Sequence, residues 1–327
     1  MDLKKEISKR GELFNKELDA FLSRRSPENL YDASRHLPMA GGKRLRPVLC
    51  MISCEAVSGD FKKVMPFALA VEIIHNFSLV HDDIMDKSTL RRGMKTVHIE
   101  YGEPTAIIAG DLLFAKAFEA LEKYPKNTPS FHQLFQYLTQ SVIEVCEGQQ
   151  LDMNFEKRFI VEESEYLEMI KMKTSALFRI SCEGGALAGG ANEEVQQALR
   201  EYGMSLGLAF QIRDDYLDMS SDPETLGKDI GNDIRNGKKT IIAVHSLTHA
   251  TGDDKKILTD IFGKATASAK EVTQVYHVFD RVGSIDYAKE KAEEYCTVAK
   301  DALKILEDST AKQVLVALAD YAMTREK

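Results

Sequence analysis

Apolar residues recur three and four positions apart along almost the whole 327-residue chain, and alternating or β-branched runs long enough for strands are nearly absent. This pattern predicts an all-α fold, a single large helical bundle joined by short loops. Breakers at Ser58-Gly59-Asp60, at 124–129, at Gly189-Gly190 and across 221–237 divide the chain into helices of roughly 12 to 28 residues. Ser26-Pro27 reads as a helix start, with Ser able to cap orphan amides and Pro preset for the first turn, and that helix should stop before Pro38. No internal repeat, low-complexity tract or Pro/Ser-rich linker separates two folding units, so residues 1–327 are expected to form one domain.

Composition narrows the classes. With 44% hydrophobic and 29% charged residues and no Trp, the chain is globular and helical rather than disordered. A formal net charge of −8 argues against nucleic acid as a partner, so any phosphate chemistry must rest on local basic groups or metal ions. Cys50, Cys54, Cys146, Cys182 and Cys296 are odd in number and lack C-x-x-C spacing; neither a disulfide framework nor a zinc site is expected, and a reducing cytoplasm fits. Residues 1–22 mix acids and bases on an amphipathic pattern unlike a targeting signal. Charged residues interrupt every apolar stretch before the ~20 residues of a membrane span, so a soluble protein is expected.

The chemistry concentrates in two aspartate clusters. His81-Asp82-Asp83-Ile84-Met85-Asp86 ends a strongly apolar helix, and helical geometry stacks Asp82 and Asp86 on one face with Asp83 beside them. Asp214-Asp215-Tyr216-Leu217-Asp218 repeats the spacing. Crowded like charges are destabilising alone, so each cluster is either a solvated helix end or a place where a cation neutralises it. Both follow apolar stretches, 71–80 and 204–212, which a uniformly charged outer face would not explain. Facing each other across a bundle, they would form a hard-oxygen cage suited to a diphosphate bridged by more than one Mg²⁺. Basic groups to complement that ligand lie in Gly41-Gly42-Lys43-Arg44-Leu45-Arg46-Pro47, Arg91-Arg92-Gly93, Lys173-Thr174, Lys228 and Lys238-Lys239-Thr240.

The ordered set GGKRLRP, HDDIMD, RRG, KTSALF, FQIRDDYLD, GKD and GKKT, spanning 41–240, resembles the trans-isoprenyl diphosphate synthases. The resemblance implies an isoprenoid-synthase bundle with a central active-site cavity and a Mg²⁺-dependent prenyl transfer, three ions per site, in which isopentenyl diphosphate attacks an allylic carbocation. It implies that Asp82, Asp83, Asp86, Asp214, Asp215, Asp218 and Lys173 surround the reacting centre. Asp82, Asp86, Asp214 and Asp218 match the metal ligands, with Asp83 and Asp215 in the same motifs. Arg91, Lys173, Thr174, Gln211, Lys228 and Lys238 match the allylic-diphosphate contacts. Lys43, Arg46, His75 and Arg92 match the isopentenyl diphosphate site, with Arg44 pointing elsewhere. The family generally forms homodimers, so a homodimer is expected too.

Some positions carry a plain alternative. His75 on an apolar helix could be a hydrogen-bonded core histidine, although its place in Glu72-Ile73-Ile74-His75 favours phosphate. Glu-x-x-His also occurs in di-iron bundles, which need a second copy that this chain lacks. The stretch 227–237, with three glycines and alternating charge, reads as a flexible surface loop whose lysines could close over substrate. Phe77 and Ser78, five and four residues before Asp82, lie roughly 6 to 8 Å below the metal level, with Ile74 about one turn deeper. Phe77 beside a small Ser78 resembles the archaeal-type pattern for a C20 product, geranylgeranyl diphosphate, with farnesyl diphosphate second. The rivals are a class I terpene cyclase, which would pair one D-D-x-x-D with an Asn/Ser/Glu motif, and a non-catalytic partner subunit, which would be expected to lose aspartates.

Overall fold

The computed structural model describes residues 2–58, 60–220 and 228–325. Helix α4 (Met65–Met85) shows why the chain is helical: Pro66 sits in its first turn, and Phe67, Leu69, Val71, Ile73, Ile74 and Val80 cover most of its circumference. A helix apolar nearly all round has to be buried, and α4 packs against α3 (Leu45–Ser58) and α6 (Glu103–Leu121). By length and composition 61–85 would also suffice to cross a membrane, contrary to the expectation that no window does. Its apolar character is accounted for by burial, and it carries Glu72, His75, Asn76, Asp82 and Asp83.

The residues group into two compact units. The first comprises Met1–Val142, Leu177–Gly203 and Leu303–Ala317; the second comprises Ile143–Ala176, Met204–Ala302 and Leu318–Lys327. The core of the second is built from Phe155, Tyr166, Leu208, Ile212, Ile241, Ile242, Val275 and Phe279, contributed by α7 (Pro129–Glu156), α8 (Glu163–Ile170), α10 (Glu193–Ser220), α12 (Ile241–His249) and α14 (Ala269–Arg281).

Most breakers fall where expected: α6 ends at Leu121 and α7 opens at Pro129, and α9 (Ala176–Gly189) stops at Gly190, whose φ of +86° is available to glycine at little cost. Two expectations are corrected. Helix α2 (Glu28–Met39) starts after Pro27 without a side-chain cap and runs through Pro38. That proline stands in the last turn, so little of the helical ladder is lost beyond it, and its carbonyl accepts from the Arg44 guanidinium. The stretch read as a loop contains α11 (Lys228–Asn236), anchored by fully buried Ile234 and by Arg235 Nε donating to the Ala267 carbonyl at 2.9 Å. Residues 221–227 lie outside the described residues. The described strands are β1 (Leu90–Arg91) and β2 (Met94–Lys95), paired antiparallel across a two-residue turn.

Candidate active site

In the first unit, Asp82 and Asp83 close the last turn of α4, and Asp86 is its C-cap. The three carboxylates differ in exposure: Asp86 is exposed and Asp82 intermediate, whereas Asp83 is 1% exposed. Arg91 Nε donates to Asp83 Oδ1 at 2.7 Å, while Oδ2 is buried without a hydrogen-bond partner. Burial pushes the Asp83 carboxyl above its ordinary range, against the pull of Arg91. Arg91 is delivered by the β1–β2 turn, where Arg92 and Gly93 both have positive φ (53° and 75°), as a tight type I′ hairpin requires.

Arg92 leaves that turn and donates to the carbonyls of Gly41 (2.5 Å) and Leu37 (3.3 Å). A Cβ at Gly42, whose φ is +125°, would stand 3.0 Å from the guanidinium carbon, which explains a glycine facing the arginine. Arg46 Nη1 lies 3.2 Å from His75 Nε2 and its guanidinium stacks 4.6 Å above the Phe178 ring. Burial, then Arg46, Arg92, Arg91 and Arg44, hold the His75 imidazole well below its ordinary pKa, so it is neutral and can accept from Arg46. Arg46, His75 and Arg92 therefore share one electropositive region of this unit, and exposed Lys43 precedes them in the loop. Arg44 turns inward, as expected, and forms a buried ion pair with Glu72 at 2.7 Å.

Below Asp82, Ile74 is fully buried, and Phe77 meets His81 and Phe114 edge-on at centroid distances of 4.9 and 5.4 Å. The Ser78 hydroxyl turns back to the His75 carbonyl at 2.9 Å.

In the second unit, Asp214, Asp215 and Asp218 lie on the last turns of α10. Asp215, 5% exposed, accepts from Tyr166 Oη (2.6 Å) and the Ile241 amide (3.1 Å) on Oδ2 and from Gln211 Nε2 (3.1 Å) on Oδ1. Gln211 in turn accepts from Thr174 Oγ1 at 2.9 Å, so these site residues form one hydrogen-bonded chain. Burial pushes Asp215 up to about 6 despite those donors. Asp218 is also pushed up to about 6, by burial and then by the charges of Asp215, Asp233 and Asp214.

The cations of this unit answer that acidity. Burial alone would lower the Lys238 pKa, but Asp233, at 3.7 Å, and the carboxylates of Asp215, Asp152 and Asp218 raise it instead. Lys173 Nζ donates to Asp152 Oδ2 at 2.5 Å. It belongs to a π-helical turn, Lys171–Ser175, lying between α8 and α9. Such a turn holds one extra residue, which re-aims Lys173 and Thr174, and such bulges often mark functional positions. Two glycines let backbone approach it: a Cβ at Gly148 would come within 2.4 Å of the Lys173 nitrogen, and one at Gly207 within 2.7 Å of the Ser175 Cα. Lys239 is buried over the Phe262 ring and donates to the Gly237 carbonyl, while Thr240 caps α12. Lys228 opens α11.

The sequence reading missed Asp152, Tyr166, Asp233 and Arg325. Arg325 pairs with Asp214 at 2.5 Å. For Asp152, the run Gly148-Gln149-Gln150-Leu151-Asp152 held a usable signal, a glycine and polar residues interrupting an apolar helix.

Among the described residues, no three His, Cys, Asp or Glu side chains come together closely enough to hold a metal by themselves. Mg²⁺ does not require that, since it is commonly held by one or two carboxylates with substrate phosphate and water. Taken unit by unit, the solvent-reaching Asp82 and Asp86 of the first and Asp214 and Asp218 of the second are hard oxygen donors of the kind that Mg²⁺ takes.

Comparisons with known proteins bear on the family of the chain. The family model described as polyprenyl synthetase matches residues 27–279. The geranylgeranyl diphosphate synthase of Methanosarcina mazei is 44% identical over 326 residues, covering 100% of this chain and 99% of that protein. A short chain isoprenyl diphosphate synthase of Methanothermobacter thermautotrophicus is 43% identical over 320 residues, covering 98% of each. The crystal structure of geranylgeranyl pyrophosphate synthetase from Pyrococcus horikoshii superposes with a TM-score of 0.93 at 42% identity, covering 99% of this chain and 98% of that one. An all-α fold of the isoprenoid synthase type and similarity over nearly the whole length lead to one conclusion: the chain is a prenyltransferase that belongs to the polyprenyl synthetase family.

Proposed function

We propose that the chain condenses isopentenyl diphosphate with allylic diphosphates in a Mg²⁺-dependent reaction and releases geranylgeranyl diphosphate as its main product. The carrying observation is the division of labour inside each aspartate motif. The middle carboxylates, Asp83 and Asp215, are buried and bonded to protein donors, whereas Asp82, Asp86 and Asp214 reach solvent. That arrangement suits structural middle residues and outer metal ligands, Asp218 among the latter.

Bound Mg²⁺, three ions per site, would neutralise the departing diphosphate. Arg91, Lys173, Thr174, Gln211, Lys228 and Lys238 are assigned to the allylic diphosphate, where oriented cations lower the barrier as negative charge develops. Lys43, Arg46 and Arg92 hold the second diphosphate, and neutral His75 orients Arg46 by accepting its hydrogen bond. The allylic C–O bond breaks, the isopentenyl double bond supplies the electron pair of the new C–C bond, and the lost proton passes to the released diphosphate. Phe77, backed by Phe114, limits the growing tail, and small Ser78 leaves room for a C20 product.

Residues 1–327 act as one domain, a reading supported by a family match that runs through stretches of both compact units. A homodimer is supported by exposed Ile107, Ile108 and Phe114 on α6 and by a cavity of about 530 Å³ lined by Phe118, Leu121, Phe131 and Phe135. A cytoplasmic setting suits the five free cysteines.

The test supplies isopentenyl diphosphate with each allylic primer and chromatographs the dephosphorylated products. C20 is expected from the wild type, longer chains from Phe77→Ala and accumulated C15 from Ser78→Phe. C15 alone from the wild type would transfer the assignment to farnesyl diphosphate. Product from one substrate alone would favour a cyclase, and no product from any pair a silent subunit.

A further inference from the structure

The residue just beyond α16 (Thr310–Thr324) holds an unusual position. The Arg325 side chain is 4% exposed, and its Nη2 lies 2.5 Å from Asp214 Oδ1 and 2.9 Å from the Phe210 carbonyl. Its guanidinium carbon stacks 3.6 Å above the Phe210 ring, one turn before Asp214 on α10. The Arg325 amide donates to the Tyr321 carbonyl at 3.0 Å, which ties this backbone to the end of α16. The planar fork is thus fixed against one face of α10 by a stacking contact and two acceptors. Asp214 itself is 39% exposed. The pair is asymmetric: the cation is buried and the carboxylate looks outward.

The surroundings explain why a cation belongs there. Asp214 stands with Asp215 and Asp218 on the last turns of α10, so its carboxylate sits among like charges that repel it. Lys238 supplies positive charge on the Asp233 side, and Arg325 supplies it at Asp214. A carboxylate that already holds a guanidinium on one oxygen is a poorer partner for a second cation, because the two positive charges repel at short range.

We propose that Arg325 is an internal counter-ion of the second aspartate motif, standing in for a divalent cation at Asp214 and lowering the affinity of that motif for metal. The proposal rests on the reading of the second motif as a divalent-metal site. Removing one positive charge about 5 Å from a divalent ion should tighten its binding roughly tenfold even at the dielectric constant of water. In the metal-free protein the same change should lower the melting temperature, since the acidic group loses a partner.

The experiment uses the full chain and Mn²⁺ as probe, with free Mn²⁺ followed by electron paramagnetic resonance and no substrate present. R325M keeps an apolar stem over Phe210 without the charge, and R325K keeps the charge. R325M should bind Mn²⁺ about tenfold more tightly than wild type and R325K about equally, with circular dichroism confirming helical content. If R325M does not fold, R325Q carries the same measurement. Unchanged or weaker Mn²⁺ binding in the charge-free variant overturns the counter-ion role. Asp214→Asn separates the two levels: if it leaves Mn²⁺ binding intact, the metal reading of the motif fails, whereas if it weakens binding and R325M does not tighten it, the counter-ion proposal alone fails.

Discussion

Asp83 and Asp215 occupy the same place in two copies of one pattern, yet they are held differently. Asp83 has one guanidinium partner, Arg91, on a hairpin turn, and its second oxygen is buried without a donor. Asp215 has three donors on two oxygens, from Tyr166, Gln211 and the start of α12. A buried carboxylate with its lone pairs satisfied fixes its helix strongly, whereas one with an orphan oxygen leaves part of its desolvation cost uncompensated. The second motif is therefore the more rigid platform, and the first has the looser support.

The largest break in the comparison comes from the outer carboxylates. Asp82→Ala and Asp214→Ala should each lower turnover by roughly 10²–10³-fold, the scale of removing one electrostatic contact to developing charge. Helical circular dichroism at about 25 °C should be retained in both, with a lower melting temperature for Asp214→Ala, because the buried Arg325 guanidinium loses its carboxylate. Wild-type turnover in either purified variant would remove that residue from the metal set.

Next comes pH. Asp218, at about 6 against an ordinary 3.8, binds a proton more readily in the folded than in the unfolded chain. Its contribution therefore favours folding below about pH 4 and is lost as pH rises through 6. Asp218 is exposed, so solvent screening holds the effect to about 1 kcal/mol or less. Melting curves of metal-free wild type and Asp218→Asn should thus diverge between pH 4 and 7, the wild type losing ground as pH rises. Parallel curves would show that Asp218 titrates normally.

The middle residues sharpen the contrast directly. Asp215→Asn would present its amide either to the Ile241 N–H and Tyr166 Oη together or, flipped, to Gln211 Nε2, leaving a buried donor unsatisfied in both orientations, at a cost of about 1–3 kcal/mol. Asp83→Asn should cost about 1 kcal/mol or less, because Arg91 is 30% exposed and can rehydrate. Urea denaturation midpoints of the two variants decide it, and an equal loss would mean that the extra donors around Asp215 add nothing.

The sequence carried the two motifs legibly because Asp at i and i+4 after an apolar stretch is a local signal, and the all-α reading rested on the same periodicity. The supports were not legible. Tyr166 lies 49 residues before Asp215, and Arg325 lies 115 residues after Phe210. Contacts at such separations depend on packing and leave no periodic trace. The π turn around Lys173 was hidden for a related reason: one extra residue in a helix is set by what approaches it, here Gly148 and Gly207. Around α11 the glycines and charges outweighed Ile234, which anchors the helix once buried.

The smallest effect belongs to the basic cluster of the first unit that we propose binds isopentenyl diphosphate, where local charge replaces the dense hydrogen bonding around Asp215. Lys43→Ala and Arg46→Ala remove cations and should raise the Michaelis constant for isopentenyl diphosphate well above any change for the allylic primer. His75 acts through Arg46, so His75→Gln, which keeps an acceptor, should raise it only about fivefold, equivalent to about 1 kcal/mol, the net value of one hydrogen bond. The sign of the histidine's pKa shift adds a sharper test. Burial and the arginines Arg46, Arg92, Arg91 and Arg44 disfavour its protonated form. Its neutral state therefore persists as pH falls from 8 to 6, and the Michaelis constant should show no inflection near 6.5 that His75→Gln abolishes. Such an inflection would mean that His75 meets the diphosphate as an imidazolium, and its role would change from acceptor for Arg46 to direct cationic ligand.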